Sequence, residues 1–228
     1  MKVLVLFIAN FYFAPVDCTM FFGENYTLAV KQAEKDATLV ADVARTYDVD
    51  PVMVQSIVFP EYIRHNALGA LMEESALEIL YVDMGTDAVD FSIGRFQIKP
   101  SFASAIETHT QEDPVLARKY AALYLGTRPV KEQRRERIKR LKDVGWQTRY
   151  VCAFIEYCEK YYGLGVIPAD EKIKFLSTAY NAGIQKEKGR VEANYSIKAF
   201  PYGPKFKIEQ VSYWAVSLDY FHAKEKSK

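Results

Sequence analysis

DPVMVQSIVFPE, Asp50–Glu61, is an apolar run closed by a proline and a single carboxylate. Asp48 or Asp50 can cap a helix here, and Pro51 takes the first helical position that proline favours. Val52, Val54, Ile57 and Val58 then predict a helix buried over most of its surface. Pro60 lacks an N–H and its ring disfavours helical geometry at Phe59, so the helix is expected to end or kink there. Glu61 is thereby placed at or just beyond the C-terminal end. The negative helix pole and the apolar neighbours Val58, Phe59 and Ile63 would both disfavour its carboxylate and raise its pKa. That suits a general acid working near neutral pH. Thirty residues on lies FSIGRFQIKP, Phe91–Pro100, in which Gly94 makes a turn and Gln97 presents a polar amide between Phe96 and Ile98.

Outward from these two stretches the pattern is helical. Upstream, Tyr26–Tyr47 places Leu39, Val40, Val43 and Ala44 on one stripe. Downstream, Ala67–Tyr81 is amphipathic, and Asp83, Asp87 and Asp90 follow in a polar connection around Gly85. Ser101 is expected to cap the helix after Pro100. Further helices are predicted over Pro114–Gly126, over Thr148–Tyr162 with a stop at Gly163 and Gly165, over Ala169–Ala182, and near Glu209–His222. Thr127–Lys142 is dense in Arg and Lys, but Glu132, Glu136 and Asp143 interleave with them. A solvated helix face with spaced ion pairs is the expectation there, rather than a surface for an anionic polymer. AFPYGPKF, from Ala199, is irregular. With no repeat or linker, the chain reads as one mostly-α domain.

The composition is that of a globular chain with ample core-forming residues: half of the 228 residues are hydrophobic. Thirty basic and twenty-nine acidic residues leave a net charge of +1, so nothing global points to nucleic acid. The many tyrosines suit sugar stacking and suit a filled core equally well. The first segment, MKVLVLFIANFYFA, is too short to span a membrane and reads as the core of an export signal over residues 1–18, with the domain over 19–228. Cys18 as a lipoprotein site and a buried N-terminal element are the alternatives. Cys152 and Cys158 fall on nearly opposite sides of one helix and should not bridge. His65, His109 and His222 show no ligand spacing, and no metal or other cofactor is expected.

Three motifs in order carry a family resemblance. VDPVMVQSIVFPE is similar to the helix ending in the catalytic glutamate of the soluble lytic transglycosylases, lysozyme-like enzymes that cleave peptidoglycan glycan strands. GRFQIKPSFA resembles their G-L-M-Q-I-x-P-x-x-A turn, and AYNAG, Ala179–Gly183, matches as it stands. The resemblance covers about Tyr47 to Gly183. It implies a lysozyme-like single domain with a glycan-binding cleft, exported to the periplasm or cell envelope, with peptidoglycan as partner alongside envelope or secretion machinery. Glu61 would be the sole acid/base. Gln97 would lie along the glycan, Phe96 and Ile98 would shape the cleft, Tyr180 would hydrogen-bond near the glutamate, and Asn181 would support the AYNAG turn.

Departures from the family bear on this reading. Tyr62 follows the glutamate where the family has serine, Arg95 stands at a small or apolar position of the turn, and thirty-three residues separate Glu61 from Gly94 where the family has far fewer. The insertion could add a wall to the cleft. Glu74-Ser75 would restore the E-S pair, but without the long apolar helix in front of it. Simpler roles stand beside the catalytic ones: Glu61 paired with Arg64 or Arg45, Gln97 as a backbone-satisfied amide, Tyr180 as a core ring. If Asp87 or Asp90 positioned water opposite Glu61, the chain would be a hydrolytic muramidase resembling the goose type. A glycan-binding module without catalysis is the third reading.

Overall fold

The computed structural model describes residues 16–68, 74–184 and 187–227, and these are mostly helical. α1 (Cys18–Phe22) is capped by Asp17, whose side chain accepts from the Met20 N–H at 2.9 Å. There follow α2 (Glu24–Thr46), α3 (Pro51–Leu68), α4 (Glu74–Met84), α5 (Pro100–Glu112) and α6 (Pro114–Lys119). A 3-10 turn, Ala121–Leu123, leads to α7 (Val130–Leu141), α8 (Val144–Tyr162), α9 (Ala169–Ala182) and α10 (Lys188–Ala193). A second 3-10 turn, Asn194–Ser196, precedes α11 (Tyr213–Glu225). Among the described residues, β geometry is confined to two isolated antiparallel bridges, Ile93 with Ile98 and Phe200 with Val211.

α3 is the centre, surrounded by α2, α8, α9 and α11. Of the end or kink expected at Pro60, the end does not occur: the helix runs through Pro60, so Glu61 lies inside it. Magnitudes explain this. An interior proline costs about 3 kcal/mol. Val54, Ile57, Val58, Phe59, Tyr62 and Ile63 are fully buried, and each contributes about 1.5–3 kcal/mol when taken out of water. Packing on all sides therefore outweighs the local defect. Phe59 alone stacks on Tyr220 at 3.9 Å between ring centroids and meets the Tyr26 ring edge-on at 5.3 Å.

Other elements differ in detail from the sequence-based expectation. The Pro114 helix stops at Lys119, and the last helix begins at Tyr213. Ser101 lies inside α5, whose capping position is Lys99; the Asp90 carboxylate serves the first turn instead, accepting from the Ser101 N–H at 3.1 Å and its hydroxyl at 2.7 Å. α7 is not uniformly solvated. Arg137 is buried against Glu107, and Arg140 bonds Glu136 at 3.1 Å and the Leu123 carbonyl at 3.0 Å while lying over Trp146. Long basic side chains can bury their stems when every N–H finds an acceptor.

α4 packs on α7, with Lys142 on Glu78 and Lys131 on Asp83. The side chain of Glu74 lies outside the described residues, as do residues 1–15 of the leader expected over 1–18. Cys18 is 1% exposed and part of the core. Cys152 and Cys158 are free, buried thiols.

Candidate active site

Glu61 points from the middle of α3 into a cavity of about 340 Å³. Its carboxylate is 3% exposed as a residue, and both oxygens accept from one nitrogen of Arg64, Nη1, at 2.8 and 2.9 Å. Arg64 sits three residues on, one helical turn away. It is anchored in turn by the Pro201 carbonyl on Nε (3.3 Å), by Asn181 Oδ1 on Nη2 (3.3 Å), and by the Phe200 and Tyr213 rings at 5.0 and 5.7 Å. Tyr213 completes the set: its hydroxyl donates to the Ile57 carbonyl at 3.2 Å and also reaches the Glu61 carboxylate.

Burial pushes the Glu61 pKa above its ordinary value, against the lowering influence of the Arg64 charge and of the Tyr213 and Arg64 hydrogen bonds. The direction is the expected one, but its cause is not the helix pole, since Glu61 is a turn or more from the end of α3. Tyr180 and Tyr213 are pushed far up by burial and by the nearby Glu61 charge. Their hydroxyls therefore stay protonated.

The opposite wall is the turn between Ile93 and Ile98. Gly94 (φ +70°) is obligatory, because a Cβ there would lie 2.3 Å from both the Leu141 carbonyl and Gln147 Nε2. Gln147, fully buried on α8, braces the turn by donating to the Ile93 and Leu141 carbonyls at 2.8 Å and accepting from the Phe96 N–H at 3.2 Å. Gln97 is held in the left-handed region at φ +51°, rare for a residue with a side chain, and donates to the Gly94 carbonyl at 2.8 Å.

Gln97, Ile98, Tyr180 and Asn181 line the Glu61 cavity, as the motifs require; Phe96 does not. Phe96 is fully buried against Tyr62, ring centroids 5.9 Å apart, and contributes only its carbonyl, which accepts from the Tyr180 hydroxyl at 2.7 Å. Tyr180 thus ties α9 to the turn rather than bonding the glutamate. Asn181 reaches across to Arg64 rather than supporting its own turn. Asp90 also lines the cavity, whereas Asp87 is exposed and lies outside it. None of the described α4 side chains lines it.

Two of the three departures from the family, Tyr62 and Arg95, are linked. The Tyr62 hydroxyl donates to Asp36 Oδ2 at 2.9 Å, and Arg95 Nε pairs with the same oxygen at 3.4 Å. Asp36 of α2 therefore joins the residue after Glu61 to the turn that faces it. Asp36, Gln147 and Tyr213 all escape a reading of the sequence. Arg64 is the partner that the sequence offers for Glu61 beside Arg45, and the structure places Arg64 there.

No protein-family model matches this chain, and no curated protein or solved structure is significantly similar to it.

Proposed function

We propose that the chain is an exported, lysozyme-like lytic transglycosylase that cleaves the β-1,4 bond between N-acetylmuramic acid and N-acetylglucosamine in peptidoglycan, leaving 1,6-anhydromuramoyl ends. The observation that carries this reading is that all three motif stretches meet on one cavity around a single buried carboxylate of raised pKa.

Glu61, protonated, gives its proton to the glycosidic oxygen as the bond to C1 breaks, and the N-acetylglucosamine side leaves as an alcohol. The substrate's own acetamido group stabilises C1. The resulting Glu61 carboxylate then takes the proton of the C6 hydroxyl as O6 attacks C1, which restores the starting acid without consuming water. Both charge states of Glu61 have partners. When it is ionised, Arg64 and the Tyr213 hydroxyl donate to it. When it is neutral, its proton can go to the Tyr213 oxygen while Tyr213 donates to the Ile57 carbonyl.

Asp90 is the second carboxylate of the cavity and supports the hydrolytic alternative, in which it would activate water. Its oxygens are already engaged by the Ser101 N–H and hydroxyl, which favours the one-carboxylate route.

The test is mass spectrometry of purified peptidoglycan digested by the wild-type chain and by Glu61→Gln. Anhydromuramoyl products that vanish in the variant are expected, with the rate reduced about 10²- to 10⁴-fold. Reducing-end products would move the chemistry to hydrolysis and to Asp90. No release by the wild-type chain, with glycan binding retained, would leave a binding module in which Arg64 keeps Glu61 permanently paired.

A further inference from the structure

One helical turn beyond the Glu61 cavity, on α5 and α8, a separate stack of three rings ends in solvent. On α5, Ser101, Phe102 and Ala105 line the cavity. His109 follows Ala105 by one turn on the same face, about 6 Å along the axis. On α8, Phe154 packs against Phe102 and Tyr180, both of which line the cavity, at 5.4 and 5.7 Å. Tyr157 and Tyr161 come next on that side of α8. His109 stacks on Tyr157 at 4.6 Å with 13° between planes, and Tyr157 stacks on Tyr161 at 5.3 Å and 12°. Tyr161 is 65% exposed. Its neighbour Tyr162 donates to the carbonyl of Ile184, a cavity-lining residue, at 3.0 Å, which fixes this end of α8 beside the rim.

We infer that the His109–Tyr157–Tyr161 column is a second carbohydrate-binding site, a platform for pyranose rings of the same β-1,4-linked N-acetylhexosamine strand whose scissile bond lies at Glu61. This rests on the glycan reading of the cavity and extends it. The occupant follows from the chemistry and the continuity. A pyranose presents one face of axial C–H groups, which the negative face of an aromatic ring attracts, while its hydroxyls need polar groups at the edge of the platform. Tyr161, stacked on Tyr157 and in T-shaped contact with Tyr162 at 4.9 Å, still offers exposed ring surface and a hydroxyl, and Glu112 stands beside His109 Nδ1 at 3.2 Å. Parallel stacking holds the rings in place before a ligand arrives, so little side-chain entropy is lost on binding. The other exposed aromatic pair among the described residues, Tyr202 with Phe206, is tilted at 45° with centroids 5.7 Å apart and forms no parallel stack, and single exposed apolar residues are ordinary surface.

The experiment is isothermal calorimetry of the full chain with the hexasaccharide and the disaccharide of β-1,4-linked N-acetylglucosamine. The wild-type chain is expected to bind the longer probe more tightly. Tyr161→Ala should weaken the hexasaccharide about 3- to 10-fold and leave the disaccharide unchanged, and Tyr161→Phe should retain most of the gain. A Tyr161→Ala variant that binds the hexasaccharide like wild type, or loses both probes equally, overturns the platform while the cavity reading stands. A wild-type chain that binds neither probe overturns the platform, whose ligand is the ring face shared by all N-acetylhexosamines, while the reading of the cavity stands or falls with the peptidoglycan digest.

Discussion

Two buried carboxylates in this molecule are each clasped by an arginine, and only one of them borders a cavity. Glu107 of α5 accepts from Arg137 through Nε at 3.0 and 3.2 Å and through Nη2 at 2.5 Å, and from the Tyr150 hydroxyl at 2.6 Å. Arg137 also donates to the Tyr81 hydroxyl at 2.6 Å. Side chains surround this pair, and no described cavity reaches it. Glu61 accepts from a single nitrogen of Arg64, faces about 340 Å³ of open cavity, and has an arginine whose side chain is 25% exposed. Burial and a charged partner are thus common to a structural pair and a candidate reacting one. What separates them is unfilled space and unspent hydrogen-bonding capacity.

The comparison breaks most visibly in stability. Glu107→Gln leaves the Arg137 charge buried with its best acceptor gone, and a loss of about 3–5 kcal/mol is expected from such a half-removed pair. Glu61→Gln leaves Arg64 with the Pro201 carbonyl, Asn181, two aromatic rings and partial solvent access, so it should lose about 1 kcal/mol or less. Denaturant unfolding of both variants measures the difference. Equal losses would mean that Glu61 is as structural as Glu107.

A smaller effect is dependent on pH. Burial holds the Glu61 pKa above its ordinary value of 4.5, so the folded state binds a proton more readily than the unfolded chain. The contribution of Glu61 is fully present below the unfolded pKa and is lost as pH rises through the folded one. Wild type should therefore lose stability relative to Glu61→Gln as pH rises from the ordinary carboxylate range toward neutrality. Melting temperatures of the two chains across that range test the sign. A wild-type advantage that grew with pH would show that the Arg64 pairing, not burial, governs the group.

How much of this was legible follows from range. The helical run of Asp50–Phe59, the Gly94 turn and AYNAG are local patterns, and the family resemblance they carry implies Glu61, Gln97, Ile98, Tyr180 and Asn181 as site residues; these five line one cavity. Phe96 was misjudged because a turn does not say which of two apolar neighbours faces inward. The local cost of Pro60, about 3 kcal/mol, predicts a break, and the burial that offsets it is visible only in the fold. Nothing near Arg137 in sequence marks it as buried, because its partner, Glu107, lies thirty residues earlier on another helix. Tyr213, Gln147 and Asp36 act only through tertiary contacts and leave no signal in their neighbourhoods.

Asp36 offers the smallest and most discriminating effect, because it decides whether Tyr62 and Arg95 are independent departures from the motif or a single exchange. If they act through Asp36 Oδ2, removing either should weaken what the other contributes. A double-mutant cycle of Tyr62→Phe and Arg95→Met should then give a coupling of about 0.5–1 kcal/mol, a modest value because Arg95 is partly exposed and its pair is long. The cycle should lose its coupling in an Asp36→Asn background, where the shared charge is gone. Additive single effects would make Tyr62 a packing residue alone, and the glutamate helix and its facing turn would be joined only through apolar contact between Tyr62 and Phe96.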